Sequence, residues 1–355
     1  MTVQRQRLHL FDMMKGVAIF LVVMGHVIAM CIREIDRTPL FKFIGLIHMP
    51  LFFFISGWFA CRLDSEGRIK IPNLRNRAVR LLLPMIAVST LWIFYFPHSG
   101  LQSPLNSTFE GLWSDSWKNG YWFTLVLFEL FVVYWAIIPL LNIWKTAAGN
   151  IIVILFVWVL LLIAYCFCPQ NICSWLSLDL TAAFFPAFMF GWVGRKFRDG
   201  FMQCIGDSWF QTFTIIVFAG TIYVSSWPWE FGLSPLSETV ITSLFHISLA
   251  IIAMAVFGRW EQSAYSPDAS PLSRRIADMW SYIGVNSLGI YLLHYFFLFP
   301  MGDLFRDYLE SLNLSFVPMT VFSAFWAACI VAIVLGIIKL IQPSRPLSLL
   351  LTGQK

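Results

Sequence analysis

The sequence predicts an all-α integral membrane protein of about ten transmembrane helices with both termini in the cytoplasm, and three observations predict it. The first is composition. Of 355 residues, 59% are hydrophobic and only 12% are charged, with a mean hydropathy of +0.74. A soluble domain carries about 25% charged residues; half that density cannot cover a globular surface, which excludes a soluble enzyme and a disordered chain. The second is a series of apolar stretches near the length of about 20 residues that a helix needs to cross the hydrocarbon core. They are continuous rather than alternating, which argues against barrel strands. The third is the placement of Lys and Arg between them.

The first stretch, Phe11 to Ile32, follows Arg5 and Arg7. Lys15 and His26 interrupt it and it is too long for a signal-peptide core, so it reads as a retained helix. Arg33, Arg37 and Lys42 separate it from the second, Phe43 to Cys61, and the most basic loop, with six Lys and Arg, leads to the third, Val79 to Phe96. Lys118 precedes the fourth, Tyr121 to Leu141; Lys145 precedes the fifth, Asn150 to Cys168, which is followed by Leu180 to Val193. Arg195, Lys196 and Arg198 lead to the seventh, Phe210 to Trp227, followed by Glu238 to Phe257. Arg259, Arg274 and Arg275 precede the ninth, Ser281 to Pro300, and Arg306 lies before the tenth, Phe316 to Ile341. Charges, Pro and Gly bound these stretches.

With ten crossings, only Arg33, Arg37, Lys42, Lys118 and Arg306 fall on the far side, Lys15 lies within the first span, and the other 18 of the 24 Lys and Arg share the side of the termini. That bias places both termini in the cytoplasm and accounts for the net charge of +5 without nucleic acid. The seven cysteines lack the paired spacing of a zinc site, so no metal is expected. No linker, low-complexity stretch or repeat divides the chain, and residues 1–355 read as a single helical domain of a multi-pass protein of the plasma or inner membrane.

Ionisable side chains inside a span are costly and mark function by default. The 11-residue step from Lys15 to His26 turns about 1100°, three turns and about 20°, and Asp12 lies three residues before Lys15 on the same stripe. One helix face therefore carries a carboxylate and an ammonium near the cytoplasmic end and an imidazole about 16 Å further out. The alternative for Asp12 and Lys15 is an interfacial pair, and for His26 a hydrogen-bonded packing role. His48, at the outer end of the second span, and His294, in the outer half of the ninth, lie at comparable depth. Ser287, Tyr291 and His294, spaced i, i+4, i+7, form one polar stripe. The three histidines suit a cavity opening outward, with groups able to move protons at neutral pH; for His48 and His294 a structural hydrogen bond is the equal alternative. Glu129 is a further charge in mid-span, expected to orient or pair with a cation. At the start of the third span, Arg77 and Arg80, with Arg75 nearby, suit phosphate groups, which guanidinium binds in bidentate geometry; the alternative is a topology signal facing lipid headgroups.

These residues resemble a known family. Phe11-Asp12-Met13-Met14-Lys15-Gly16 running to Gly25-His26, then Phe52-Phe53-Phe54-Ile55-Ser56-Gly57-Trp58, then Arg77-x-x-Arg80-Leu-x-x-Pro84, and finally Ser287-Leu-Gly-Ile-Tyr291-Leu-Leu-His294 are similar to the membrane-bound acyltransferase-3 family. Its fucose 4-O-acetylase-like and sugar acetyltransferase branch is the nearest. The resemblance spans nearly all of the chain. It implies transfer of an acyl group, usually acetyl, from cytosolic acyl-coenzyme A (acetyl-CoA) as co-substrate to a hydroxyl of a glycan, a lipid-linked sugar or another envelope molecule, with no tightly bound cofactor. It also implies that His26 and Lys15, with Asp12, carry the chemistry and that Arg77 and Arg80, with Arg75, hold the donor. Lys15 stands where many members have Arg, and Asn76 where many have a further Arg. The resemblance further implies a stand-alone member without an added soluble domain. His26 would be the general base, or an acyl-carrying nucleophile; oxyanion stabilisation is left to backbone N–H, Ser56, Tyr291 or His294. A transporter or flippase for a glycan or lipid is the rival reading, which broken helices and pseudo-symmetric halves would favour; the sequence shows neither. A structural subunit without chemistry would leave the Asp12, Lys15, His26 stripe unexplained.

Overall fold

Each apolar stretch expected from the sequence is largely helical over its described residues, the ninth with a break. The computed structural model describes residues 9–31, 39–95, 109–226, 234–298 and 316–354. The expected span ends Ile32, Phe96, Trp227 and Pro300 lie outside them, as do Arg5, Arg7, Arg33, Arg37, Arg306 and Lys355. In chain order the helices are α1 (His9–His26), α2 (Pro39–Ala60), α3 (Leu74–Tyr95), α4 (Phe109–Ser114), α5 (Trp122–Ile143), α6 (Ala147–Phe167), α7 (Gln170–Trp175), α8 (Leu178–Lys196), α9 (Arg198–Gly206) and α10 (Ser208–Ser226). They continue with α11 (Pro235–Ala264), α12 (Pro271–Val285), α13 (Ser287–Leu293), α14 (Phe316–Ile341) and α15 (Arg345–Thr352).

Among the described residues, seven helical segments are long and apolar enough to cross a membrane: His9–Cys31, Phe43–Ala60, Leu74–Tyr95, Trp122–Ile143, Ala147–Phe167, Ser237–Ala264 and Thr320–Ile341. The other three expected spans are α8, α10 and the segment Ser287–Phe297, which are helical but shorter or less apolar. For α8 the reason is position. It contacts α2, α5, α6 and α11, so much of its surface meets protein rather than lipid and does not need a fully apolar composition. Its backbone touches that of α2: Gly57 lies against the Phe188 carbonyl and Gly191 against the Phe54 carbonyl, where a Cβ has no room. Small residues admit such close packing between membrane helices. Around this contact Phe53, Phe54, Trp58, Phe188 and Trp192 are fully buried.

The first helix is buried on most of its circumference and contacts α2, α11, α12, α13 and α14, as expected of a central helix. Gly16 lies against the Trp280 carbonyl and Gly284 against the Asp12 carbonyl, so α12 crosses the first turns of α1 in backbone contact. After His26 the chain continues as one π-helical turn, Val27–Cys31.

The ninth expected span needs correction. Its first residues, from Ser281, belong to α12; the chain breaks at Asn286 and resumes as α13, followed by the 3-10 turn His294–Phe297. Asn286 is buried, donates from Nδ2 to Tyr282 O at 2.9 Å and accepts at Oδ1 from Gln354 at 3.3 Å. This is a broken helix that continuous hydropathy conceals.

Candidate functional site

The end of α1 and the turn after α13 bring two histidines together. His294 is fully buried, and its Nδ1 faces the carbonyls of Tyr291 at 2.8 Å and Ile290 at 3.0 Å. A ring nitrogen between two carbonyls must carry a proton, so the neutral ring has its lone pair on Nε2. That nitrogen lies 2.9 Å from His26 Nδ1. His26 must then donate from Nδ1, which leaves its own lone pair on Nε2. The rings are stacked, with centroids 5.0 Å apart.

A hydroxyl meets the free nitrogen. Tyr295 Oη lies 3.2 Å from His26 Nε2 and 3.2 Å from Gly120 O, so its single proton has two acceptors in reach. Gly120 O also accepts from Tyr291 Oη at 2.6 Å, and Tyr291 Oη accepts from Phe123 N at 3.2 Å. The hydroxyl proton of Tyr291 and the Nδ1 proton of His294 are therefore both committed to backbone carbonyls. Gly120 closes the 3-10 turn Lys118–Gly120 at φ +89°, and its Cα faces the Tyr295 hydroxyl with no space for a Cβ.

This turn is fixed by an unexpected group. Lys118, read from the sequence as an outward-facing loop cation, is fully buried. Its Nζ donates to Trp113 O at 3.1 Å, to Asp115 O at 2.8 Å and to Ser174 O. It thus ties the ends of α4 and α7 to the start of α5. Burial pulls its ammonium below the ordinary lysine range, against the opposing pull of Asp115.

A cavity of about 140 Å³ lies between α1, α2, α3, α5 and α13. Lys15, Ser56, Leu81, Phe123, Ser287 and Tyr291 are among the residues that line it. The stripe Ser287, Tyr291, His294 is thus divided: the first two face this cavity and the third meets His26. Asp12 holds Lys15 in an ion pair of 2.7 Å, at the i, i+3 spacing that allows it. His48 does not join the histidine pair by a hydrogen bond; its Nδ1 lies 2.5 Å from Ile44 O on its own helix.

The arginines differ from one another. Arg77 is half-buried with its guanidinium 4.2 Å from the Phe131 ring centroid, whereas Arg80 is exposed and uses Nε to reach Gly353 O at 3.3 Å. Arg75 is exposed. Glu129 forms no ion pair among the described residues: Oε2 accepts from Thr181 Oγ1 at 2.5 Å, and Oε1 is buried without a partner. Sequence reasoning missed Tyr295 and Gly120. A tyrosine directly after the His294 stripe was the available signal; a carbonyl on a loop leaves none.

An acyltransferase domain profile, that of the acyltransferase-3 family, matches residues 8–340. The chain is 33% identical over 159 residues to nodulation protein NolL of Sinorhizobium fredii, covering 41% of this chain and 41% of the relative. It is also 33% identical over 156 residues to nodulation protein NolL of Mesorhizobium japonicum, covering 40% of each. The chain thus spans about two-fifths of the length of these curated relatives. No solved structure matches it. With a profile match across nearly its whole length, the chain belongs to the acyltransferase-3 family.

Proposed function

We propose that the protein is a membrane-bound O-acyltransferase that moves an acyl group, acetyl in our reading, from cytosolic acyl-coenzyme A to a hydroxyl of a glycan or another envelope molecule. In this reading it crosses the plasma or inner membrane ten times with both termini in the cytoplasm. The observation that supports it most is the hydrogen-bond order carbonyl, His294, His26, which leaves His26 Nε2 unprotonated and already facing a hydroxyl. A base needs that arrangement.

The acceptor hydroxyl takes the place of Tyr295 Oη at Nε2, and the tyrosine proton falls back on Gly120 O. As the acceptor oxygen attacks the thioester carbonyl, Nε2 takes its proton. The tetrahedral intermediate then expels the coenzyme A thiolate, which receives that proton from the imidazolium. His294 keeps Nδ1 of His26 protonated throughout. Because Tyr291 and His294 already give their protons to carbonyls, the oxyanion is met by Ser56 or by backbone N–H. Arg77 and Arg80, with Arg75, hold the donor phosphates, and the pantetheine arm runs through the cavity past Lys15 toward Tyr291.

The test is transfer from acyl-coenzyme A to candidate sugars by purified protein in detergent, with His26→Gln beside it. Gln keeps a hydrogen-bonding group but takes up no proton at neutral pH. A general base contributes typically 10²- to 10⁴-fold, so transfer should disappear while donor binding persists. Near-normal turnover in the Gln variant would make His26 structural.

A further inference from the structure

We propose that α12 lies in the plane of the membrane, at the face where α1 begins, and docks there on anionic lipid headgroups. At 100° per residue α12 has three faces. Ala277, Ser281 and Gly284 are buried within about 60° of one another and pack on the protein. Leu272, Ile276 and Met279 form a second stripe of about 60° and are 67%, 39% and 49% exposed. Ile283, at the end of that second stripe, is buried; Arg274, Arg275 and Asp278 are exposed on the third face, followed towards its end by Tyr282 and Val285, 50% and 43% exposed.

Three neighbouring large apolar side chains turned outward beside a charged stripe fit an interface of hydrocarbon and water. At 15 residues the helix is too short to span. Its depth is set by α1, because Gly16 and Gly284 hold the two backbones together at the first turns of a crossing helix. The polar side is anchored too: Tyr265 Oη donates to Asp278 Oδ1 at 2.7 Å and lies 3.2 Å from His9 Nδ1.

The last helix also turns apolar side chains outward. Beside α13, α15 turns Leu347 and Leu350 outward, 46% and 37% exposed, and buries Ser348 and Thr352. That inverted pattern suits lipid and not water. Arg274 and Arg275 form no ion pair among the described residues, so their charges are available to headgroup phosphates. The inference rests on membrane insertion alone and not on acyl transfer.

The test uses full-length protein in lipid vesicles, with single cysteines placed in a background lacking the native ones. Leu272→Cys, Ile276→Cys and Met279→Cys should react several-fold more slowly with a membrane-impermeant maleimide than Arg274→Cys and Arg275→Cys. An environment-sensitive fluorophore at the first three should be quenched by nitroxide-bearing lipids. Equal labelling of the two groups would overturn the in-plane placement, and protection without lipid quenching would assign the stripe to another protein chain. For the headgroups, fluorophore emission at Ile276→Cys is compared in phosphatidylcholine vesicles with and without phosphatidylglycerol. A blue shift with the anionic lipid that is lost in Arg274→Gln/Arg275→Gln supports the docking; a shift independent of lipid charge, or unchanged in the double variant, refutes it. Thermal melting of each variant in the same vesicles separates docking from misfolding.

Discussion

Replacing His294 by Ala removes the acceptor of the His26 Nδ1 proton without touching the nitrogen assigned as base. The lost bond is 2.9 Å long, and His294 is fully buried. A buried donor left without a partner costs about 1–3 kcal/mol. His26 recovers part of that by rotating or by moving its proton to Nε2, and either response removes the base. If the whole cost appears as a smaller fraction of correctly oriented, correctly protonated His26, turnover falls about 5- to 150-fold. The Kd for acyl-coenzyme A should not change, because neither histidine lines the cavity described above. His294→Gln, which keeps a side-chain oxygen able to accept, should recover part of the loss. Single-turnover transfer in detergent, with donor binding measured separately, reads both quantities. Unchanged turnover in His294→Ala would refute the orienting role, and equal losses in Ala and Gln would show that the ring's bulk, not its lone pair, matters.

Arg77→Ala and Arg80→Ala should each weaken acyl-coenzyme A binding by about 1.5–3 kcal/mol, the worth of a hydrogen bond to a charged group; unchanged affinity in both would return them to topology signals. A reporter fused after Lys355 should read as cytoplasmic, and an external reading would end the ten-span topology. Lys118→Met removes the donor shared by the carbonyls of Trp113, Asp115 and Ser174; those of Asp115 and Ser174 keep backbone N–H partners, so the cost is that of leaving the Trp113 carbonyl without this donor, about 1–3 kcal/mol. Its melting temperature should therefore fall well below that of an exposed-surface control such as Lys145→Met.

Apolar length located helical segments, seven of them long and apolar enough to cross a membrane among the described residues, because membrane insertion depends on local composition, which one sequence displays. It missed the break at Asn286, since Asn286 is satisfied by Tyr282 O and by Gln354 from the distant end of the chain, a contact no local window contains. The burial of Lys118 was illegible for a related reason. A lone Lys before a span reads as a loop charge, and the three carbonyls it meets come from two short helices and the turn after the first of them. In the site, helical spacing put Lys15 and His26 on one stripe and Ser287, Tyr291 and His294 on another. The meeting of His26 with His294 is a tertiary contact between helices far apart in sequence, and no spacing rule reaches it.

A broken helix and a buried histidine pair also occur in transporters, so their placement must decide between the readings. Transporter helices break near the bilayer midplane, where freed backbone groups bind the cargo. The Asn286 break instead joins α12, proposed above to lie at the membrane face, to a segment packed in the bundle, and the Asn286 side chain bridges it, donating to Tyr282 O and accepting from Gln354. The region between Lys15 and Tyr291 is lined chiefly by apolar side chains, with Ser56 and Ser287 as isolated polar points. A route for a hydrated sugar would need polar partners along its length; a thin, largely apolar arm carrying a thioester does not. The polar groups concentrate instead where Gly120, Tyr295, His26 and His294 meet. One basic nitrogen beside one hydroxyl suits the proposed reading, in which a proton moves once per turnover and the cargo stays where it arrived.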